Sequence, residues 1–149
     1  MAVNIAEMYT LLFAKDNNVA YEALQQLQTE SENANSVYLY IDKFIDMLDD
    51  KNAYIRVRGL TLIAYNAKWD TDYKIDEIID KYLQHIVDIK PIIARQCIKL
   101  LPLLASSKPE LRLDIISALE RVDISAYADS MRPLIGKDIQ KTLKIIKSA

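Results

Sequence analysis

Ile55, Ile93 and Met131 stand 38 residues apart in this chain, and so do Gly59, Cys97 and Ile135, and Ile63, Leu101 and Ile139. These three columns are four residues apart, so each set of three lies along one face of a single helix. An earlier copy fits with a period of 36, placing Val19, Ala23 and Leu27 in the same columns. A second group of columns precedes the first: Val37, Ile75 and Leu113; Tyr40, Ile78 and Ile116; Leu48, Ile86 and Ile124. A helix pair of this size cannot bury its apolar face alone and has to stack on neighbours. The period therefore predicts an all-α chain of about four helix pairs, near residues 1–32, 33–70, 71–106 and 107–149, forming one domain over 1–149. A stack of this kind presents surfaces, and its short connectors leave little room for an active-site lid.

Capping signals place eight helices. The first is expected over 3–15 and the second over 18–29, followed by the polar connector "SENANS" at 31–36, with Ser36 as the next N-cap. Asn52 is the expected cap of a helix that ends near Trp69, and Asp72 of one that runs to about Asp88. Pro91 suits a first helical turn. Ser107 and Pro109 repeat that device, and a final helix follows Ser130 with Pro133 in its first turn. Gly59, inside a helix, predicts close approach of two helices, since glycine there costs about 1 kcal/mol relative to alanine.

The stretch "LDDKNAYIRVRGLTLI" from Leu48 resembles the HEAT repeat: an aspartate ending the first helix, then a hydrophobe and an arginine, here Asp50, Ile55 and Arg56. The third unit keeps Asp88 and Ile93 but has Ala94 for the arginine. The fourth keeps Arg132 but has Ala126 for the aspartate, and the first has Ala20 in the arginine column. More narrowly, "RVRGLTLIAYNAKWD", "ARQCIKLL" and "YADSMRPLIGKDI" are similar to small bacterial HEAT-like proteins of unassigned function, some labelled SufBD, a label that implies iron–sulfur assembly. The resemblance implies an armadillo-type, right-handed α-α superhelix whose second helices line the concave side. It also implies that Arg56 serves the fold by bonding the Asp50 turn.

Composition bounds the chemistry. Two glycines and four prolines punctuate 149 residues, and no apolar run approaches the roughly 18 residues of a membrane span. "MAVNIAEMYTLLFAKD" carries Glu7 and Asp16 and no basic start, unlike a secretory signal. The single cysteine, Cys97, precludes an internal disulfide framework and suits a reducing, cytoplasmic compartment. With one cysteine and one histidine, His85, a zinc or iron–sulfur site could form only between chains or with carboxylates. No cofactor, metal site or membrane contact is expected, the protein is read as non-enzymatic, and its state as a monomer or weak homodimer. Cys97 belongs to a core column. His85 falls near a helix C-terminus.

Charge opens the functional reading. Residues 1–50 hold nine acids and two bases, and the remainder holds twelve acids and seventeen bases. The outward stripe of the second helices reads Arg58, Thr61, Tyr65 and Lys68, then Gln96, Lys99, Leu103 and Ser106, then Leu134, Lys137, Lys141 and Lys144, with Glu22, Gln25 and Thr29 in the first unit. Six bases face one acid. Stripes in a repeat array lie side by side, which suits extended partners. The expected partner-binding residues are thus Tyr54, Arg58, Thr61, Tyr65, Lys68, Gln96, Lys99, Lys137, Lys141 and Lys144, and the expected function is a scaffold or adaptor for an acidic or extended protein partner. The plainer reading is that these lysines solvate a surface and favour helix C-termini. The alternative function is a nucleic-acid module resembling DNA-repair glycosylases built on HEAT-like repeats, using the basic stripe and Trp69 beside Asp70. A sequence pI near 5.4 argues against a phosphate-tracking protein. Arg56→Ala should lower stability, whereas exposure on the stripe would leave Arg58→Glu nearly neutral.

Overall fold

The structure, a computed structural model, describes residues 3–149. Two compact units divide the chain, Met1–Asp72 and Tyr73–Ala149. In the first, α1 (Ile5–Leu11) and α2 (Asn17–Asn33) precede α3 (Ile41–Met47), which is entered through a 3₁₀ turn at Val37–Tyr40. Then α4 (Ala53–Asn66) is left through a second 3₁₀ turn at Ala67–Trp69. Three of these helices start on a side-chain cap: Asn4 accepts from the Glu7 amide, Asp16 from Asn18 and Asn52 from Tyr54. Each satisfies a donor that has no partner within the helix. Leu12, Leu27, Phe44, Leu60 and Ile63 fill the core of this unit and are wholly buried.

Two local expectations fail here for identifiable reasons. The polar run at 31–36 does not start as a connector, because α2 continues through Ser31 to Asn33. Buried Ser31 donates its hydroxyl to the Leu27 carbonyl (2.6 Å), accepts from Asn66 Nδ2 (3.0 Å), and offers its own carbonyl to Trp69 Nε1 (2.7 Å). Its polarity is satisfied internally, so it stays helical. Ser36 makes no side-chain capping bond.

In the second unit, α5 (Lys74–Glu77) and α6 (Ile79–Leu83) are short and continue as a 3₁₀ turn, Gln84–Val87. Next come α7 (Pro91–Ser107), a 3₁₀ turn at Pro109–Leu111, α8 (Arg112–Arg121) and α9 (Arg132–Ser148). The single helix expected from Asp72 to Asp88 is thus broken, and its N-cap position falls to Tyr73, at φ 58° and without a side-chain cap bond. A non-glycine residue in the left-handed region costs roughly 1–2 kcal/mol. The Tyr73 ring lies 5.0 Å from Lys108 Nζ, and that nearly buried ammonium pairs with Asp76 at 2.5 Å and Glu110 at 3.3 Å. These contacts hold Tyr73 in place. Ser107 is likewise the last residue of α7 and not a cap.

The repeat columns are mostly confirmed. Gly59, Cys97 and Ile135 are buried, as are Ile63, Leu101 and Ile139. Leu113 departs, at 72% exposed, and so does Val19, at 37%. Leu111, Ile115 and Leu119 face inward in place of Leu113, because the buried counterpart of Ile75 comes after 36 residues and not 38. The turns between paired helices also repeat. Asp50 accepts from the Asn52 amide (2.8 Å), Asp88 from Lys90 (2.9 Å) and Asp123 from Ser125 (2.9 Å), the local bond that makes aspartate a turn former. Arg56 braces the first of these turns as expected, donating to the carbonyls of Asp50 (3.0 Å) and Lys51 (3.1 Å). Ala94 cannot do so in the next repeat, and there the Tyr127 hydroxyl donates to the Asp88 carbonyl.

Helices α7 and α9 pack side by side. Arg95 Nε meets Asp138 Oδ2 at 2.6 Å, and the Thr142 hydroxyl donates to the Ile98 carbonyl at 3.4 Å. Successive partners advance in the same sense, so the two helices run parallel. Ile98 is four residues before Pro102, which lies inside α7 and has no amide hydrogen to give it. Thr142 supplies that missing donor from the neighbouring helix. Thr142→Val should leave a buried carbonyl without a donor and destabilise by about 1–3 kcal/mol, measured as a lower urea midpoint with an unchanged slope.

Candidate functional site

The stripe residues separate by unit. In the first, α4 carries Tyr54, Arg58, Thr61 and Tyr65, and Lys68 follows in the 3₁₀ turn. Arg58 is not on an exposed stripe: it is 6% exposed. Its guanidinium donates to the Leu12 carbonyl (2.8 Å) and to Asn17 Oδ1 (3.3 Å), and lies 5.7 Å from the Tyr54 ring. Leu12 closes α1 and Asn17 opens α2, so Arg58 fastens the turn between those helices to α4. Burial pushes its pKa down, with the Tyr54 phenol acting in the opposite direction. The distinction between a structural Arg56 and a surface Arg58 therefore falls, because both brace backbone carbonyls.

Lys68 is exposed, but its ammonium donates to the Glu32 carbonyl (2.6 Å) and sits 5.2 Å from the Trp69 ring. The Thr61 hydroxyl returns to the Val57 carbonyl (2.8 Å). Tyr65 is half-buried and Tyr54 exposed, while Glu22, Gln25 and Thr29 are exposed on α2. The second-helix face of this unit is therefore not cationic. Trp69 and Asp70 are also engaged: besides the Trp69 bond to Ser31, buried Asp70 accepts the Tyr38 hydroxyl at 2.5 Å. Burial, and then that carboxylate, push the Tyr38 phenol far up.

The second unit differs. Together α7 and α9 contain seven bases and one acid, Asp138, and Asp138 is taken by Arg95. Gln96 and Lys99 on α7, and Lys137 and Lys141 on α9, are exposed. Lys144 is exposed too but lies toward α8, along a groove it shares with Lys147 and Glu120, themselves paired at 3.0 Å. Exposed cations therefore lie on both helices, Lys99 on α7 and Lys137 and Lys141 on α9, while Lys144 also lines the groove toward α8.

A further feature of this face was not visible from spacing. Between the C-terminal halves of α7 and α9 a cavity of about 400 Å³ opens, walled by Pro102, Ala105, Ile145 and Ile146, with Arg112 in its lining. The apolar residues at 102, 105 and 145 could have signalled it only if the pairing register of α7 with α9 were known.

Among the described residues, no group of three or more His, Cys, Asp or Glu is placed to hold a metal ion. Cys97 is wholly buried as expected, and burial pushes its thiol far up. His85 Nδ1 lies 2.8 Å from Asp88 Oδ2 at the end of its 3₁₀ turn. Among the described residues no helix is long and apolar enough to cross a membrane.

Comparison with curated proteins returned no match. Among solved structures, the crystal structure of an engineered protein is similar, with a TM-score of 0.61 at 15% identity, over 99% of this chain and 64% of that one. This chain therefore spans less than two thirds of that protein, and the likeness concerns the fold alone. The profile described as HEAT repeat domain matches residues 2–143. Nearly the whole chain is covered, every regular element among the described residues is helical, and the Asp50–Arg56 turn is formed as the resemblance implied. The chain belongs to the HEAT repeat domain family.

Proposed function

We propose that this HEAT repeat protein is a non-catalytic scaffold that binds an acidic, extended protein segment along the α7–α9 face. HEAT repeats serve generally in protein interaction. The observation that carries the finer reading is the charge balance of that face: Lys99, Lys137 and Lys141 are exposed on parallel helices whose one acid, Asp138, is neutralised by Arg95. An acidic segment meets cations there and no competing carboxylate from either helix. Such contacts steer association and set specificity, and are screened by salt.

Fluorescence anisotropy with a labelled all-glutamate peptide tests the proposal. Binding should weaken from low to moderate salt and be lost in the Lys99→Glu/Lys137→Glu/Lys141→Glu variant. That variant should keep its stability, each exposed change being worth about 0.5 kcal/mol or less. Undiminished binding by the variant would place the contact elsewhere. A labelled single-stranded oligonucleotide binding more tightly than the peptide would favour the nucleic-acid reading.

A further inference from the structure

The far end of the same face narrows the chemistry of the partner. Pro102 follows Lys99 by three residues, and Ile145 follows Lys141 by four. At those spacings successive side chains lie along one face of a helix, so the lysine rows of α7 and α9 lead to the cavity between Pro102, Ala105, Ile145 and Ile146. Its volume of about 400 Å³ falls within the range that accommodates an organic group. Arg112 shares the lining, is half-buried, and has no carboxylate paired with it among the described residues. A guanidinium in such a place favours a bidentate carboxylate partner.

The larger cavities lack this combination. In the groove of about 590 Å³ between α8 and α9, Lys147 is already paired with Glu120. The groove of about 560 Å³ between α6 and α8 is lined by two acids, Asp80 and Asp114, as well as Arg121.

We infer that the acidic segment carries one aliphatic or aromatic side chain that anchors in the Pro102–Ile145 cavity, next to a carboxylate that meets Arg112. The inference rests on the proposed function and adds a sequence requirement to it: acids alone are not the motif. An anchored side chain in a pocket, surrounded by weaker polar contacts, is the usual division of labour at interfaces.

The experiment compares two labelled peptides by anisotropy, the all-glutamate peptide and the same peptide with one central leucine. Burying that leucine should tighten binding about tenfold or more. Ser106→Phe, on the exposed edge of the cavity, and separately Ile145→Phe, should fill the space. Each should abolish the leucine advantage while leaving all-glutamate binding intact, and Arg112→Gln should weaken the leucine peptide several-fold. Circular dichroism confirms that the variants are folded. Equal affinity for the two peptides would overturn the anchor and leave the proposed function standing. A leucine advantage that survives both filling variants would also overturn it. No binding of either peptide would overturn both readings.

Discussion

Arg58→Glu is expected to be among the most damaging single changes in the first unit, although the sequence pattern presents Arg58 as a surface residue. The substitution removes the donors to the Leu12 carbonyl and Asn17 and sets a carboxylate against a helix C-terminus, where negative charge is unfavourable. Breaking a buried charged contact costs about 3–5 kcal/mol, or a loss in Tm of roughly 10 °C for a chain of this length. Lys137→Glu, a charge reversal of the same sign at an exposed site, should move Tm by no more than about 2 °C. Arg58→Met tests the origin of the effect: it keeps the apolar stem but not the donors, and should retain part of the loss. Similar melting temperatures for Arg58→Glu and Lys137→Glu would disprove the bracing role.

Gly59→Ala should also destabilise, against the intrinsic helix preference for alanine. An added Cβ would lie 2.9 Å from Met47 Cβ and 2.9 Å from the Phe44 carbonyl oxygen, and the second of these is backbone that cannot rotate away. Overpacking of this kind costs about 1–3 kcal/mol, against a propensity gain of about 1 kcal/mol. The expected net loss is up to about 2 kcal/mol, read as a lower urea midpoint. Gly136→Ala supplies the opposite sign, because the nearest heavy atom to its added Cβ, Ile124 Cδ1, is 4.0 Å away. That substitution should gain up to about 1 kcal/mol. If both alanines stabilise, α3 and α4 do not cross as closely as the structure has them.

The period of the chain is legible because core-facing positions recur along a helix at its own spacing, as the column of Gly59, Cys97 and Ile135 shows. Exposure was harder to read. A stripe residue is exposed only if no neighbouring turn covers it, and the α1–α2 turn covers Arg58. No pattern within α4 records that turn. Leu113 falls out of the core because a fixed period assumes equal repeats, whereas the interval from Ile75 to buried Leu111 is two residues shorter than 38. Asp123 escaped notice because its turn lies three residues before the aligned position, Ala126. The lysines of α7 and α9 were recognised, but the cavity beside them depends on the register of two helices distant in sequence.

Pro102 has one more consequence. The rung it removes from α7 is restored only when α9 is in place, so the last helix completes the hydrogen bonding of a carbonyl 44 residues upstream. Deleting α9 would therefore not yield a shorter, intact protein. It would leave α7 as an edge with a gap at its middle and an orphaned oxygen there, and fraying would begin from within that helix as well as from its tip. The C-terminal helix is a keystone, not a removable cap.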